Sequence, residues 1–219
     1  MKTAAFSSDE MLKTMVAEAV KQQAQIRSTV RDITLKGLQA RELGLTQIKN
    51  VIRNVTKGVN AGVADKNDVE KILADAVAGM DDALLKVVEA NQVALTKLTE
   101  GGASFEKSAV KKALDELESF EDRFRDGIKQ GTQEASSQLK QQWASILDKI
   151  PHGATDTGER VVETIAEHAK QMQDAMIESR KTGLKVAHAL AQNYATLVSG
   201  VLMGMSEALN QKNQKSSTE

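Results

Sequence analysis

The chain of 219 residues contains three histidines, the side chains from which a metal centre or an acid–base catalyst is most often built. A di-iron carboxylate bundle takes its ligands from Glu-x-x-His motifs on two helices. None of the three histidines here has a glutamate three residues before it. Those positions, for His152, His168 and His188, hold Lys149, Ile165 and Lys185. The His-Glu-x-x-His spacing of metalloproteases is also missing, so we expect structural histidines and no metal site.

Other signatures of catalysis or cofactor binding are missing as well. The sequence has no phosphate-binding Gly-x-x-x-x-Gly-Lys-Ser/Thr loop, no Gly-x-Gly-x-x-Gly after a strand and no Gly-x-Ser-x-Gly turn. Cysteine is absent, which excludes disulfides and thiolate metal sites. A helical chain with little irregular structure also offers few places for an oxyanion hole. We therefore expect no enzyme and no cofactor.

The elements that would position any site are helices. Ala, Leu, Lys, Glu, Gln and Val dominate the composition, and there is a single proline. No run of β-branched residues alternates with period two, so we expect no strand. Aromatic residues make up only 3% of the chain, which leaves an aliphatic core with many alanines. Small side chains contribute little buried area each, and we expect self-association to supply part of the stability.

Apolar residues in alternating three- and four-residue steps predict long helices that pack along narrow seams. The predicted helices run from Ser7 to about Gln39, from Thr46 to an end near Gly58–Gly62, from about Asp68 to Thr99, from about Phe105 to Lys149, and from Thr155 or Thr157 to about Leu209. A bend is expected in the fourth, near Gly127, Gly131 and Ser136–Ser137. The predicted fold is all-α: an elongated antiparallel bundle of four to five long helices with coiled-coil-like packing.

We expect a single elongated domain over residues 1–219. Residues 7–100 form its N-terminal helices, residues 104–209 a long helical hairpin hinged at Pro151, and residues 210–219 a frayed polar tail. The last helix has a seam that begins at Val162, and its roughly fifty residues would make a rod of about 75 Å.

The second half of this last helix carries no Asp, Glu, Lys or Arg between Val186 and Ser206. A second apolar stripe lies beside the seam, and we call it the hydrophobic stripe: Ala187, Ala191, Tyr194, Val198, Leu202 and Met205. A helix that is apolar nearly all round must be covered by protein, by lipid or by another apolar phase. The hydrophobic stripe is therefore a candidate surface for contact with a hydrophobic phase or with another protomer.

This window is about long enough to span a bilayer. It includes polar residues, among them His188, Gln192 and Asn193, and we expect no transmembrane span. Met1–Phe6 shows no secretory signal, so a cytoplasmic location is expected.

Three Gly-x-x-x-Gly pairs occur, at Gly58/Gly62, Gly127/Gly131 and Gly200/Gly204. In lipid such pairs form dimer faces, but here we expect close backbone contacts or helix ends of a bundle.

Charge is unevenly spread along the chain. Between Lys21 and Lys57 there is a basic face of eight residues: Lys21, Arg27, Arg31, Lys36, Arg41, Lys49, Arg53 and Lys57. The stretch from Glu100 to Asp126 carries eight acidic residues against five basic ones. We favour complementary charged faces within one bundle or between protomers. The alternative, a nucleic-acid patch, lacks clustered charges and interleaved aromatics.

Several of these properties together resemble the phasins, bacterial proteins that coat polyhydroxyalkanoate storage granules. They are few aromatics, no cysteine, one proline, and long amphipathic helices rich in Ala and Gln. The stretches that look alike are Ala24–Ala40 and Ser179–Leu209. The lysine- and alanine-rich, proline-containing tail of DNA-binding phasins is not seen here. The resemblance implies a non-enzymatic, self-associating protein that binds a polyester surface and is located in the cytoplasm at granules.

Two other functions stay open from the sequence. The hydrophobic stripe suits a scaffold bundle that acts by homo-oligomerisation or by binding a partner helix. The basic face allows a weak, charge-driven nucleic-acid binder. Binding to hydrophobic droplets, concentration-dependent size without such binding, and salt-dependent DNA binding would separate the three.

Overall fold

The computed structural model describes residues 9–22, 25–40, 45–64, 66–100, 109–150, 155–178, 198 and 201–203. Within these ranges the chain is all-α, as predicted, and none of the residues lies in a strand. The helices are α1 (Asp9–Gln22), α2 (Ile26–Gln39), α3 (Leu45–Gly62), α4 (Val69–Glu100), α5 (Ala109–Glu118), α6 (Phe120–Gly131), α7 (Ser137–Asp148) and α8 (Asp156–Glu178). Residues 201–203 are also helical.

The chain divides into two compact units. Unit 1 comprises Met1–Leu85 and Ser119–Glu159, and unit 2 comprises Lys86–Glu118 and Arg160–Glu219. The predicted single elongated domain with its long C-terminal hairpin stays a prediction, and Pro151 and the predicted tail 210–219 lie outside the described residues.

Helix α3 is central to unit 1, where it packs against α1, α2 and α6. Its predicted inward residues are confirmed, since each of them is at most 1% exposed: Ile48, Val51, Ile52, Val55 and Val59. Glycines permit the close approach of neighbouring helices. A Cβ atom added to Gly58 would lie 2.6 Å from the carbonyl oxygen of Lys13, and one added to Gly131 would lie 2.5 Å from the Cβ of Thr56. The expected close contacts at Gly58/Gly62 and Gly127/Gly131 are confirmed.

The helix predicted from Ser7 to Gln39 is wrong as a single element. The chain forms α1 and α2 instead, and Gln25, directly before α2, has φ 49° and ψ 50°. A residue in this left-handed conformation ends a right-handed helix. A Cβ atom added to Gly37 would lie 3.1 Å from a methyl of Leu12, so the end of α2 lies beside the start of α1. The two helices therefore run back along each other.

Helix α4 follows the prediction closely. It begins at Val69, one residue after the expected start, and its predicted seam is buried from Leu73 to Ala94. Seven successive seam residues are 0% exposed: Leu73, Ala76, Met80, Ala83, Val87, Ala90 and Ala94. The alternating three- and four-residue steps thus identify the buried face of this helix correctly.

The helix predicted from Phe105 to Lys149 is wrong as one rod, because it is divided into α5, α6 and α7. The predicted bend is a complete break after Gly131, and the hydroxyl of Ser136 accepts a 3.3 Å hydrogen bond from the N–H of Leu139 at the start of α7. A serine in this position satisfies an N–H group of the first turn that has no partner inside the helix. The inward position predicted for Trp143 is confirmed, since its side chain is 1% exposed.

Helix α8 has a buried face different from the predicted one. Val162, the first residue of the predicted seam, is 65% exposed, whereas Val161 is 7% and Thr164 0% exposed. The first turn explains this register. The hydroxyl of Thr157 donates a 3.0 Å hydrogen bond to the carbonyl oxygen of Asp81 on α4, and Val161 lies one turn further along the same face.

Candidate hydrophobic interface

The two described members of the hydrophobic stripe are buried. Val198 is 2% and Leu202 1% exposed. The other four members, Ala187, Ala191, Tyr194 and Met205, lie outside the described residues. An external surface can therefore reach Val198 and Leu202 only after this part of the chain leaves the side chains that now cover it.

Exposed apolar side chains are the second component of the candidate interface. Among the described residues, four large apolar side chains are exposed: Met11 (38%), Val93 (38%), Val162 (65%) and Met203 (48%). Three of these, Val93, Val162 and Met203, belong to unit 2. The periodicity of the sequence predicts Val162 inside a buried seam and therefore does not identify it as a candidate. Met203 follows the buried Leu202 directly, which places an exposed apolar residue next to the hydrophobic stripe.

The described core of unit 2 consists of small and medium-sized aliphatic side chains. Its buried apolar residues are Val87, Val88, Ala90, Ala94, Leu95, Leu117, Val161, Val198 and Leu202. Unit 1, by contrast, buries Trp143, Phe120 and Phe124. Burial of an alanine or valine removes less apolar area from water than burial of an aromatic residue. Each side chain in the described core of unit 2 therefore contributes less to stability than an aromatic one would.

Three side-chain pairs of unit 2 are partly or fully exposed to solvent. Lys86 pairs with Glu89 at 2.8 Å and Arg160 with Glu163 at 2.6 Å, each within one turn of a helix. The amide of Gln92 on α4 donates a 2.7 Å hydrogen bond to Glu167 on α8. Exposed contacts of this kind stabilise a fold only slightly. These contacts do little to hold the helices of unit 2 together.

The basic face is engaged in ion pairs with acidic residues of the same chain. The pairs are Lys21–Glu18 (2.9 Å), Arg27–Asp82 (2.7 Å), Arg31–Asp32 (2.8 Å), Lys49–Asp126 (3.9 Å), Arg53–Asp9 (3.9 Å) and Lys57–Glu134 (2.9 Å). Lys36 also interacts within the chain, and Arg41 lies outside the described residues. The hydrogen bond and the charge of Lys57 lower the pKa of Glu134. These acidic partners offset most of the positive charge that a nucleic acid would require.

Asp81 forms a buried polar contact that the sequence pattern does not predict. It lies on α4, is 8% exposed, and its Oδ2 accepts a 3.1 Å hydrogen bond from the N–H of Asp156 at the start of α8. Thr155, one of the two predicted caps of this helix, accepts a 2.8 Å hydrogen bond from the N–H of Gly158. Burial raises the pKa of Asp81, and the charge of Asp156 adds to this. The only signal in the sequence is an aspartate directly after a seam residue, Met80.

A surface groove of about 270 Å³ lies between the start of α2 and α4, inside unit 1. Its lining residues are Gln25, Ile26, Arg27, Ser28, Arg31, Asp75 and Asp82. Arg27 donates two 2.7 Å hydrogen bonds to the two carboxylate oxygens of Asp82, which raise the pKa of the guanidinium. Two of the four charged residues that line the groove, Arg27 and Asp82, are thus engaged with each other.

The described residues include no group of three His, Asp or Glu side chains placed to hold a metal ion. The side chains of the three histidines lie outside the part of the chain that is described. Among the described helices, none combines the length and the apolar character needed to cross a membrane. Most of the apolar window Val186–Ser206 is not among those residues.

Comparison with known proteins gives one match. No curated protein and no solved structure matches the chain. One family model covers residues 1–211, which is nearly the whole sequence. The chain therefore belongs to DUF6781, a family of unknown function.

Proposed function

We propose that this protein is a non-enzymatic, phasin-like amphiphile whose C-terminal helical region binds a hydrophobic surface, with the polyhydroxyalkanoate granule as the first candidate. The observation that carries the proposal is the exposure of Val93, Val162 and Met203 in unit 2. Exposed apolar side chains beside an aliphatic core suit a protein that transfers apolar area from its own interior to an outside phase. Self-association through the same side chains is part of the proposal.

A polymer–water interface offers apolar area without directional hydrogen bonds. A protein that covers it needs amphipathic helices and few charges on the contact side. Val198 and Leu202 are buried, so the proposed binding includes opening of the helices that cover them. An aliphatic core loses less free energy on opening than a core with aromatic residues, because each side chain buries less area.

In this proposal unit 1 stays folded while the C-terminal region binds. Three kinds of contact within unit 1 support that role: the close helix contacts at Gly58 and Gly131, the buried Trp143, and ion pairs between helices such as Lys49–Asp126. The predicted elongated antiparallel bundle would add length to the contact, because each turn of an amphipathic helix adds apolar area.

The test is co-sedimentation of the full chain with polyhydroxybutyrate particles or alkane droplets. Val162→Asp and Met203→Asp change exposed residues, so they leave the packing in place and should lower the bound fraction by about tenfold in combination. Met11→Asp is the matched control, since Met11 is exposed in unit 1. Unchanged binding of the double variant, or an equal loss with Met11→Asp, would overturn the proposal.

Val198→Asp with Leu202→Asp should also abolish binding, but these residues are buried, so that variant disturbs packing too. A loss of binding by this variant supports the proposal only where Val162→Asp with Met203→Asp also loses binding.

The alternative is a scaffold bundle in which the exposed side chains contact a second copy or a partner helix. The exposure of Val162 between the charged neighbours Arg160 and Glu163 suits such a contact as well. Light scattering across a concentration series separates the two functions. Growth in size that Val162→Asp abolishes, without binding to particles, would favour the scaffold.

A further inference from the structure

Asp81 holds the start of α8 through two different groups. Its Oδ2 accepts the N–H of Asp156 at 3.1 Å, and its backbone carbonyl oxygen accepts the hydroxyl of Thr157 at 3.0 Å. The second carboxylate oxygen, Oδ1, is buried and has no hydrogen-bond partner. The side chain of Asp81 is therefore buried, at 8% exposed, with one carboxylate oxygen hydrogen-bonded and the other without a hydrogen-bond partner.

Two charged groups that act on this carboxylate lie on the neighbouring helices α8 and α2. Asp156, the first residue of α8, contributes a like charge. Arg27 of α2 lies within electrostatic range, but it donates both of its short hydrogen bonds to Asp82, the next residue on α4. This cation is thus already engaged with another carboxylate.

We infer that Asp81 is a proton-controlled latch for the first turn of α8: the neutral carboxyl group holds this turn on α4, and the ionised group loosens it. A proton on Oδ1 removes the buried charge and leaves Oδ2 free to accept the N–H of Asp156. Ionisation places a charge with one unsatisfied oxygen in a buried site beside Asp156, which is costly. The N–H groups of the first turn and the hydroxyl of Thr157 oppose this cost, but burial outweighs them and raises the pKa of Asp81.

The residues of α8 that follow its first turn belong to the other unit of the chain. Its first turn belongs to unit 1, and from Arg160 onward it belongs to unit 2. A loosened first turn therefore releases the end by which this helix is fixed in unit 1. The proposed latch concerns only how the first turn of α8 is attached to α4. It does not depend on whether the C-terminal region binds a hydrophobic surface.

The experiment is hydrogen–deuterium exchange of the full chain, followed by mass spectrometry of peptides that cover the start of α8. Exchange is recorded from pH 3.8, the ordinary pKa of an aspartate, to neutrality, and is corrected for the intrinsic pH dependence of exchange. Protection of the first turn should fall as pH rises, by about tenfold for each unit by which the folded pKa exceeds its ordinary value. Asp81→Asn, which keeps an acceptor oxygen and carries no charge, should keep the high protection throughout.

Two further variants control the result. Asp75→Asn removes a charge elsewhere on α4 and should retain the pH dependence of the natural chain. Asp156→Asn removes the like charge, so the fall in protection should become smaller and end at lower pH. The emission of Trp143 shows whether Asp81→Asn folds. If it does not fold, the pH dependence of exchange in the natural chain and in Asp156→Asn tests the latch. A pH-independent first turn in the natural chain, or lower protection in folded Asp81→Asn at neutral pH, would overturn the latch.

Discussion

The indole N–H of Trp143 donates a 2.7 Å hydrogen bond to the side-chain oxygen of Asn60, and this bond joins α7 to α3. The amide group of Asn60 in turn donates to the carbonyl oxygen of Gly131 at 3.0 Å. One asparagine therefore connects three helices of unit 1. Trp143 is the single tryptophan of the chain and is 1% exposed, so its fluorescence reports on the packing of this unit alone.

Asn60→Ala should destabilise unit 1 by about 1–3 kcal/mol, because it leaves the buried indole N–H and the carbonyl group of Gly131 without these partners. Urea unfolding followed by the emission of Trp143 measures the change. Asn67→Ala, at an exposed asparagine, is the control and should change the free energy of unfolding by less than about 0.5 kcal/mol. Equal midpoints for the two variants would show that the hydrogen bonds of Asn60 are not needed.

Gly131→Ala should cost about 1–3 kcal/mol of unfolding free energy despite the better helix propensity of alanine. The added Cβ atom would lie 2.5 Å from the Cβ of Thr56 and 2.8 Å from the carbonyl oxygen of Arg53, so two helices must separate. Gly37→Ala should cost less, because its nearest neighbour is the end of the flexible Leu12 side chain at 3.1 Å. Thermal melts of both variants test this order, and the reverse order would contradict the helix contact described.

Asp81→Asn should stabilise unit 1 at neutral pH. A carboxyl group whose pKa is raised by burial costs the fold stability once it is ionised, and the cost grows as pH rises from 3.8 to the raised pKa. The difference in melting temperature between the variant and the natural chain should therefore be small near pH 3.8, widen as pH rises and then stay constant. Glu70 and Glu134, whose pKa values are lowered by Lys149 and Lys57, act in the opposite direction but equally in both proteins.

A constant difference across this pH range would mean that Asp81 titrates as it does in the unfolded chain. A lower melting temperature for Asp81→Asn than for the natural chain at neutral pH would mean that the charged carboxylate stabilises the start of α8 by more than its burial destabilises the fold.

The natural chain should not retard DNA in gel shifts at about 150 mM salt, because six of the eight cations of its basic face are paired. Asp126→Asn with Glu134→Gln removes the partners of Lys49 and Lys57 and should produce weak binding that declines steeply with salt. Tight, salt-dependent binding by the natural chain would instead support the nucleic-acid alternative. The same gel with Asp148→Asn and Glu159→Gln, which removes two exposed carboxylates other than the partners of Lys49 and Lys57, serves as the control for the change of net charge.

The seam of α4 could be predicted because local periodicity alone decides which face of a long, regular helix is buried. Every described seam residue from Leu73 to Ala94 is fully buried. The inward face of α3 could be predicted for the same reason. Periodicity is an average over many turns, so it identifies faces well and boundaries poorly.

The breaks and the anchor of α8 could not be predicted in the same way. Gln25, directly before α2, adopts a left-handed conformation, although glutamine is not a residue that favours it. The buried face of α8 depends on Asp81, which is 75 residues away from Asp156 in the sequence. Periodicity therefore predicts Val162 on the buried face, but the residue is 65% exposed. Val162 thus belongs to the candidate interface and not to the core.

The most direct test of the proposed function is quenching by droplets of a brominated alkane, which reduces the emission of fluorophores in contact with the droplet. The chain has no cysteine, so a dye can be attached through Met203→Cys in unit 2 or, as the matched control, through Met11→Cys in unit 1. We predict strong quenching of the dye at position 203, little quenching at position 11, and unchanged emission from Trp143 in the bound protein. Equal quenching at both positions, or a protein that remains in the supernatant, would contradict binding through the C-terminal region.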